Sequence, residues 1–111
     1  HDQIGHWIYE PATGMIQHSL SIPRGLCLLA GGKLAQLGAA TVFKVEATAG
    51  SETFGIVQST FLVQKARTTA FRMTLKISGD ELHYEETTFL DIYGRHFEHT
   101  DGCALIRVVY D

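Results

Sequence analysis

The sequence predicts an all-β protein, built as an antiparallel up-and-down barrel. No segment of the 111-residue chain repeats its apolar residues with a helical period over a useful length, whereas several segments alternate apolar and polar residues as strands do. Turn-forming residues separate these segments at short intervals, which is typical of sequential hairpins. A two-sheet sandwich has a similar pattern, but the short connections favour the barrel.

The first half of the chain contains four predicted strands, each bounded by turn residues. Pro23 and Gly25 end one of them, because proline fixes φ and glycine permits a positive φ. The pair Gly31 and Gly32 is expected to end the next one. The four strands cover residues 3–10, 15–22, 26–30 and 40–48.

The second half of the chain contains the other strands and one ambiguous segment. Residues 54–64 are predicted as one or two short strands, and 65–69 as a bend. A tight turn is expected at 79–80, and the run 93–102, which glycines bracket, is interpreted as a loop that leads into the last strand. The clearest strands of this half cover residues 70–78, 81–92 and 103–110.

Charge and composition argue against several classes of partner. The net charge is −3 and the lysines and arginines are scattered, so no basic patch favours nucleic acid or an anionic membrane. The longest apolar run is far shorter than a membrane span. Cys27 and Cys103 form no paired motif, and we expect buried free thiols in a reducing cytoplasm.

The first residues suggest how the chain relates to a complete barrel. It begins at His1, within a predicted strand and without a methionine. We therefore expect residues 1–111 to form a single domain that is the C-terminal portion of a longer barrel and lacks its N-terminal strands. Exposed sheet edges pair with other chains, so a homodimer through the barrel edges is expected.

Polar residues on otherwise apolar faces are the candidate ligand contacts. A barrel that encloses a cavity needs a few polar groups to orient its ligand. His6 and His18 interrupt apolar faces in the first two strands, and Glu86 and Thr88 do so in the strand at 81–92. For each residue the alternative is exposure to solvent, or a place in the core with its hydrogen bonds satisfied.

The run YGRHFEHTDG at 93–102 holds two histidines three residues apart, His96 and His99. A zinc site would need further ligands, for which Cys103 or Asp101 is available. In an extended strand, however, residues i and i+3 point to opposite faces, so we do not expect the two histidines to share a metal ion. No residue is assigned a catalytic role, because the chain has neither a nucleophile motif nor a phosphate-binding glycine loop.

Three stretches of the chain resemble the nitrobindin-like haem-binding β-barrel proteins, which are related to fatty-acid-binding proteins and other calycins. In the first, a histidine precedes a glycine and an aromatic strand; the second is similar to the bacterial branch of the family. In the third, a threonine-rich strand leads to a histidine and the final strand. The stretches are HDQIGHWIYEP (1–11), HSLSIPRGLCLLAGG (18–32) and LHYEETTFLDIYGRHFEHTDGCALIRV (82–108).

The resemblance implies a calycin-like barrel that binds a hydrophobic small molecule, which in nitrobindins is haem b held by one axial histidine. His99 corresponds to that ligand by its position before the last strand, and His96 is the alternative if a loop is shifted. Glu86, Thr88 and His18 are predicted to contact the cofactor. Neutral imidazole is a normal haem ligand that leaves the sixth iron position open to a diatomic gas.

Two further functions follow from the same resemblance. Some relatives are associated with nitric oxide binding and peroxynitrite isomerisation, so an enzyme of this kind would use the same haem site. The alternative is a haem-free carrier of a fatty acid or another hydrophobic metabolite. In that carrier Glu86 or Arg72 would orient the polar head group of the ligand.

Overall fold

The computed structural model describes residues 3–108, which form eight strands and one short helix. The prediction of an all-β protein is confirmed, and the boundaries of several strands agree with the alternation in the sequence. The elements are β1 (Ile4–Glu10), β2 (Met15–Ile22), β3 (Leu26–Leu37), β4 (Ala40–Thr48), β5 (Ile56–Gln58), α1 (Thr60–Lys65), β6 (Ala66–Ser78), β7 (Glu81–Ile92) and β8 (Arg95–Ile106).

All eight described strands belong to one antiparallel sheet with up-and-down connections. The strand order is β1-β2-β3-β4-β6-β7-β8, and β5 pairs with the first part of β3. Two-residue turns join β3 to β4, β6 to β7 and β7 to β8, and such turns hold consecutive strands side by side. β1 and β8 do not pair with each other, so the sheet is barrel-like but open.

One face of the sheet, called here the inner face, carries the hydrophobic core. Residues directly opposite each other on paired strands share a face, so the register extends the inner face from the core to the last two strands. Met73 lies opposite Glu86, and Phe71 lies opposite Thr88. The core consists of Ile16, Leu20, Leu26, Leu28, Ala30, Val45, Ala47, Phe71 and Met73, with Trp7, Ile22, Phe43, Ile56, Leu62 and Tyr84 packed against it.

The assignment of faces in β1 differs from the prediction. Trp7 lies opposite His18 and packs against the core, so the inner face of β1 belongs to Trp7 and its alternating neighbours. His6 is exposed, as are Ile4 and Ile8 on either side of it. The apolar pattern around His6 is therefore on the outer face, and His6 does not point towards the core.

The pair Gly31 and Gly32 does not end β3, as the sequence had suggested. The strand continues to Leu37 and exchanges its partner on one side, from β5 to β4, at these glycines. A Cβ atom on Gly32 would overlap the backbone carbonyl of Lys44, and one on Gly31 would overlap the ring of Phe54. Gly32 therefore permits a close approach of β3 to β4, and Gly31 leaves room for the Phe54 ring.

The segment between β4 and β6 is where the prediction was least accurate. Within 54–64 only the three residues of β5 form a strand, and the following residues form α1, whose first turn is capped by the Ser59 hydroxyl. In place of the bend expected at 65–69, Lys65 ends α1 and residues 66–69 begin β6, which has a bulge between Thr68 and Ala70. Within residues 3–108 there is no helix with the length and apolarity needed to cross a bilayer.

The last strand begins well before the predicted start. The run 93–102 contains a two-residue turn at Tyr93 and Gly94, both with positive φ (51° and 78°), and the rest of the run is strand. A turn of this kind matches the twist of the two strands that it joins. β8 is therefore Arg95–Ile106 rather than 103–110, and residues 109–110 of that prediction lie outside the described residues.

Candidate functional site

An apolar pocket of about 480 Å³ lies against the inner face of the sheet beside α1. Its volume lies within the range of about 300–1,000 Å³ that is common for small-molecule sites. Residues of β2, β3, β6, β7, β8 and α1 contribute to it, together with the turn that follows β2. The pocket is lined by Ile22, Arg24, Leu26, Leu28, Leu62, Ala66, Thr68, Phe71, Thr88, Leu90 and His99.

A second cavity, called here the polar cleft, lies along the inner face of β7 and β8. Its volume is about 590 Å³, and His99 lines it as well as the apolar pocket. Apart from Gln3 and Gly102, the residues that line it are every second residue of β7 or β8, because such residues point to the same face of the sheet. The polar cleft is lined by Gln3, Tyr84, Glu86, His99, Asp101, Gly102 and Cys103.

Three of the four residues predicted to contact a cofactor lie side by side. Thr88 is directly opposite His99, and both line the apolar pocket. Glu86 is directly opposite Asp101 and lines the polar cleft with His99. His18 lines neither of these cavities, and its predicted contact with a cofactor stays a prediction.

His96 and His99 point to opposite faces of β8, as the strand geometry predicted. His99 lies opposite Thr88 on the inner face, whereas His96 lies opposite Asp91 on the outer one. Among residues 3–108, no group of three histidine, cysteine, aspartate or glutamate side chains is arranged to hold a metal ion. Cys103 and the distant Cys27 are free thiols, and both are exposed rather than buried as expected.

The His99 imidazole is held by Asp101, two residues along the same face of β8. Nε2 lies 3.0 Å from Oδ2 of Asp101, and because an ionised carboxylate only accepts hydrogen bonds, Nε2–H is the donor. The side chains are 63% and 48% exposed, so solvent weakens the pair. Nε2 is accessible to a metal ion only when this contact opens.

Glu86 is a buried carboxyl group that is incompletely hydrogen-bonded. It is 8% exposed, and its Oε2 atom has no hydrogen-bond partner within the described chain. Burial raises the pKa of Glu86, and the negative charge of Asp101 adds to this effect. The side chain of Gln3 and the charge of His99 act in the opposite direction on the same pKa.

His18 is packed as a core residue. The residue is 5% exposed, and its ring stacks on the Trp7 ring with 4.2 Å between centroids. Nδ1 lies 3.2 Å from the backbone carbonyl oxygen of His6 and donates a hydrogen bond to it. Burial lowers the pKa of His18, an effect that the bond to His6 partly offsets.

Acidification is expected to destabilise the fold through His18. Its pKa in the folded state lies below the ordinary value of 6.5, so the unfolded chain binds the proton first as the pH falls. The contribution of His18 to the free energy of unfolding is therefore complete above pH 6.5 and decreases below it. Urea unfolding of the wild type and of His18→Phe, measured through this range, should show a flatter pH profile for the variant.

The comparison of the wild type with His18→Phe isolates the effect of His18, because Glu86 is present in both proteins. The raised pKa of Glu86 has the opposite effect, since it makes the free energy of unfolding decrease as the pH rises. His6→Phe, at an exposed position, is the matched control and should retain the wild-type profile. A His18→Phe profile that is as steep as that of the wild type would contradict the assignment.

Several residues of the two cavities were not recognised from the sequence as ligand contacts. Tyr84 continues the alternation of Glu86 and Thr88 along β7, and this period of two was the available signal. Arg24 lies in the turn after β2, where no periodicity applies. Arg72 instead lies 5.0 Å from the Phe89 ring on the outer face and lines neither of the two inner cavities.

Comparison with known proteins gives a match to one family model, described as "THAP4-like, heme-binding beta-barrel domain", over residues 1–107. No curated protein and no solved structure matches the chain. The matched range includes all eight described strands and every residue that lines the apolar pocket. The chain therefore belongs to the family of THAP4-like, haem-binding β-barrel domains.

Proposed function

We propose that the protein binds haem b in the apolar pocket, with His99 as the axial ligand of the iron. The observation that carries the proposal is the position of His99, whose imidazole lies at the wall of an apolar pocket of about 480 Å³ in a chain of the haem-binding family. Imidazole is the usual protein ligand of haem iron. The proposal assigns Thr88, opposite His99, to the same wall.

The side chains of the pocket suit each part of the haem molecule. Leu28, Leu62 and Leu90 are among the apolar residues available to the macrocycle, and Arg24 is the cationic residue available to a propionate. His99 must exchange its contact with Asp101 for the iron, and exposed pairs of this kind contribute only about 0–1 kcal/mol. The exchange is therefore a small part of the binding free energy.

Bound haem would supply an iron atom with one open coordination position, at which a diatomic gas binds. Nitric oxide binding, or the peroxynitrite isomerisation that the resemblance implies, is the chemistry proposed for that position. The residues of the chain hold the cofactor and exclude water from its apolar side. None of them is assigned a proton-transfer step.

Hemin titration of the protein tests the proposal. A saturable Soret band at one haem per chain is expected. Leu90→Glu, which places a carboxylate in the pocket wall, should weaken binding at least about tenfold because an unpaired charge is costly there. Leu105→Glu, at a half-exposed position outside the pocket, is the matched control. A folded wild-type protein without a Soret band would refute the proposal.

A haem-free carrier of a hydrophobic anion is the second candidate. The observation that favours it is Arg24, because a guanidinium group at an apolar pocket can bind the carboxylate of a fatty acid. Glu86 does not suit this role, since it lines the acidic polar cleft. Displacement of a fluorescent fatty acid by dodecanoate, without any hemin binding, would select the carrier.

The free edges of β1 and β8 support the proposal of a homodimer, whereas a cytoplasmic location stays a prediction. Neither edge pairs with another described strand, and the exposed apolar residues Ile4 and Ile106 lie at these edges. Sedimentation velocity of the protein at increasing concentration tests the association.

A further inference from the structure

We propose that the polar cleft is a second binding site, which takes the protonated amino group of an alkylammonium ligand and holds it on Glu86. The site is separate from the haem site in its chemistry, although His99 lines both cavities. The proposal does not require that haem be bound.

The first argument is the unpaired oxygen of Glu86. More than nine-tenths of the residue is buried, and Oε2 accepts no hydrogen bond from any described residue. A buried acceptor without a donor is unfavourable, so the cleft favours an occupant that brings N–H or O–H groups. The side chain of Gln3 also interacts with the Glu86 carboxyl group, but Oε2 remains without a hydrogen-bond partner.

The second argument is the sign of the charge in the polar cleft. Glu86 and Asp101 lie directly opposite each other on β7 and β8, and neither lysine nor arginine is among the described residues that line the cleft. His99 is the neighbouring basic group, and it already donates to Asp101. An ionised carboxyl group attracts a cation and repels an anionic head group, and a bound cation in turn favours the ionised form of both carboxyl groups.

The third argument is the number and type of donors that the cleft can accommodate. An ammonium group has three N–H donors and no acceptor, which suits the free oxygen of Glu86 and the remaining acceptor sites of Asp101. Tyr84, which lines the same cleft, contributes an aromatic ring, and cations are attracted to such rings. Because His99 lines both the cleft and the apolar pocket, an alkyl chain that leaves the cleft has apolar surface next to it.

The experiment compares three ligands that share one chain and differ in the head group: octylammonium, octanol and octanoate. Calorimetric titration of the haem-free protein should show octylammonium bound at least about tenfold more tightly than either of the others, as expected for a charge-assisted hydrogen bond. Glu86→Gln, which keeps the shape of the side chain, should abolish this preference. Glu98→Gln, at an exposed position of β8, is the matched control and should retain the preference.

Equal binding of octanol and octylammonium by the wild type would overturn the proposal, as would a full preference in Glu86→Gln. Asp101→Asn provides an independent variant at a half-exposed position, and it should weaken octylammonium binding several-fold while the circular dichroism spectrum stays unchanged. Hemin titration of the wild type is a separate measurement. A protein that binds octylammonium but not hemin would refute the haem proposal alone, and the reverse result would refute this one alone.

Discussion

Replacement of His99 by alanine is expected to abolish the Soret band of the hemin complex and to lower haem affinity at least about 100-fold. Loss of a supporting partner of a ligating histidine already costs about 10- to 100-fold, and loss of the ligand itself should cost more. Among the described residues that line the apolar pocket, His99 is the one histidine. No other side chain of this lining can therefore supply an imidazole ligand after the substitution. Absorbance titration of both proteins with hemin measures the difference.

His96→Ala is the matched control, because it removes the same side chain from the opposite face of the same strand. It should bind hemin as the wild type does. Loss of binding in His96→Ala with retention in His99→Ala would instead support the alternative in which a shifted loop makes His96 the ligand. In the His99→Ala protein, added imidazole should restore part of the Soret band, since the apolar wall is intact and only the ligand is missing.

Only the part of the site that lies on β7 could be predicted from the sequence. Alternation in 81–92 identified β7 with its observed bounds, and it placed Glu86 and Thr88 on one face. The partner of each of these residues depends on the register between β7 and β8. That register follows from the turn at Tyr93 and Gly94, which was interpreted as part of a longer loop. The position of Asp101 beside His99 therefore required the structure.

The acidic character of the polar cleft could not be predicted from the sequence, for a related reason. Glu86 and Asp101 are far apart in the chain, and only strand pairing brings them opposite each other. A buried carboxyl group also looks the same in a sequence as an exposed one, since alternation does not distinguish the inner face from the outer face. The opposite mistake was made at His6: the apolar pattern around it predicted the inner face of β1, but these residues lie on the outer face.

Gly32→Ala is expected to lower the free energy of unfolding by about 3 kcal/mol, at the upper end of the usual cost of overpacking. The added methyl group would overlap the Lys44 backbone carbonyl, and a backbone atom cannot move aside as a flexible side chain can. β3 and β4 must separate instead, which weakens the pairing between Leu34 and Phe43 beside the substitution. Urea unfolding of the wild type and the variant measures the loss.

Gly102→Ala separates this effect from the general consequence of replacing glycine in a strand. There the added Cβ would lie 3.3 Å from the Tyr84 carbonyl oxygen, a contact that a shift of a few tenths of an ångström relieves. We expect a change of no more than about 0.5 kcal/mol, since alanine also restricts the unfolded chain. The sequence pattern predicted that β3 ends at Gly31 and Gly32. If that interpretation were correct, both substitutions would have similarly small effects, whereas a close crossing of β3 and β4 requires the large difference predicted between them.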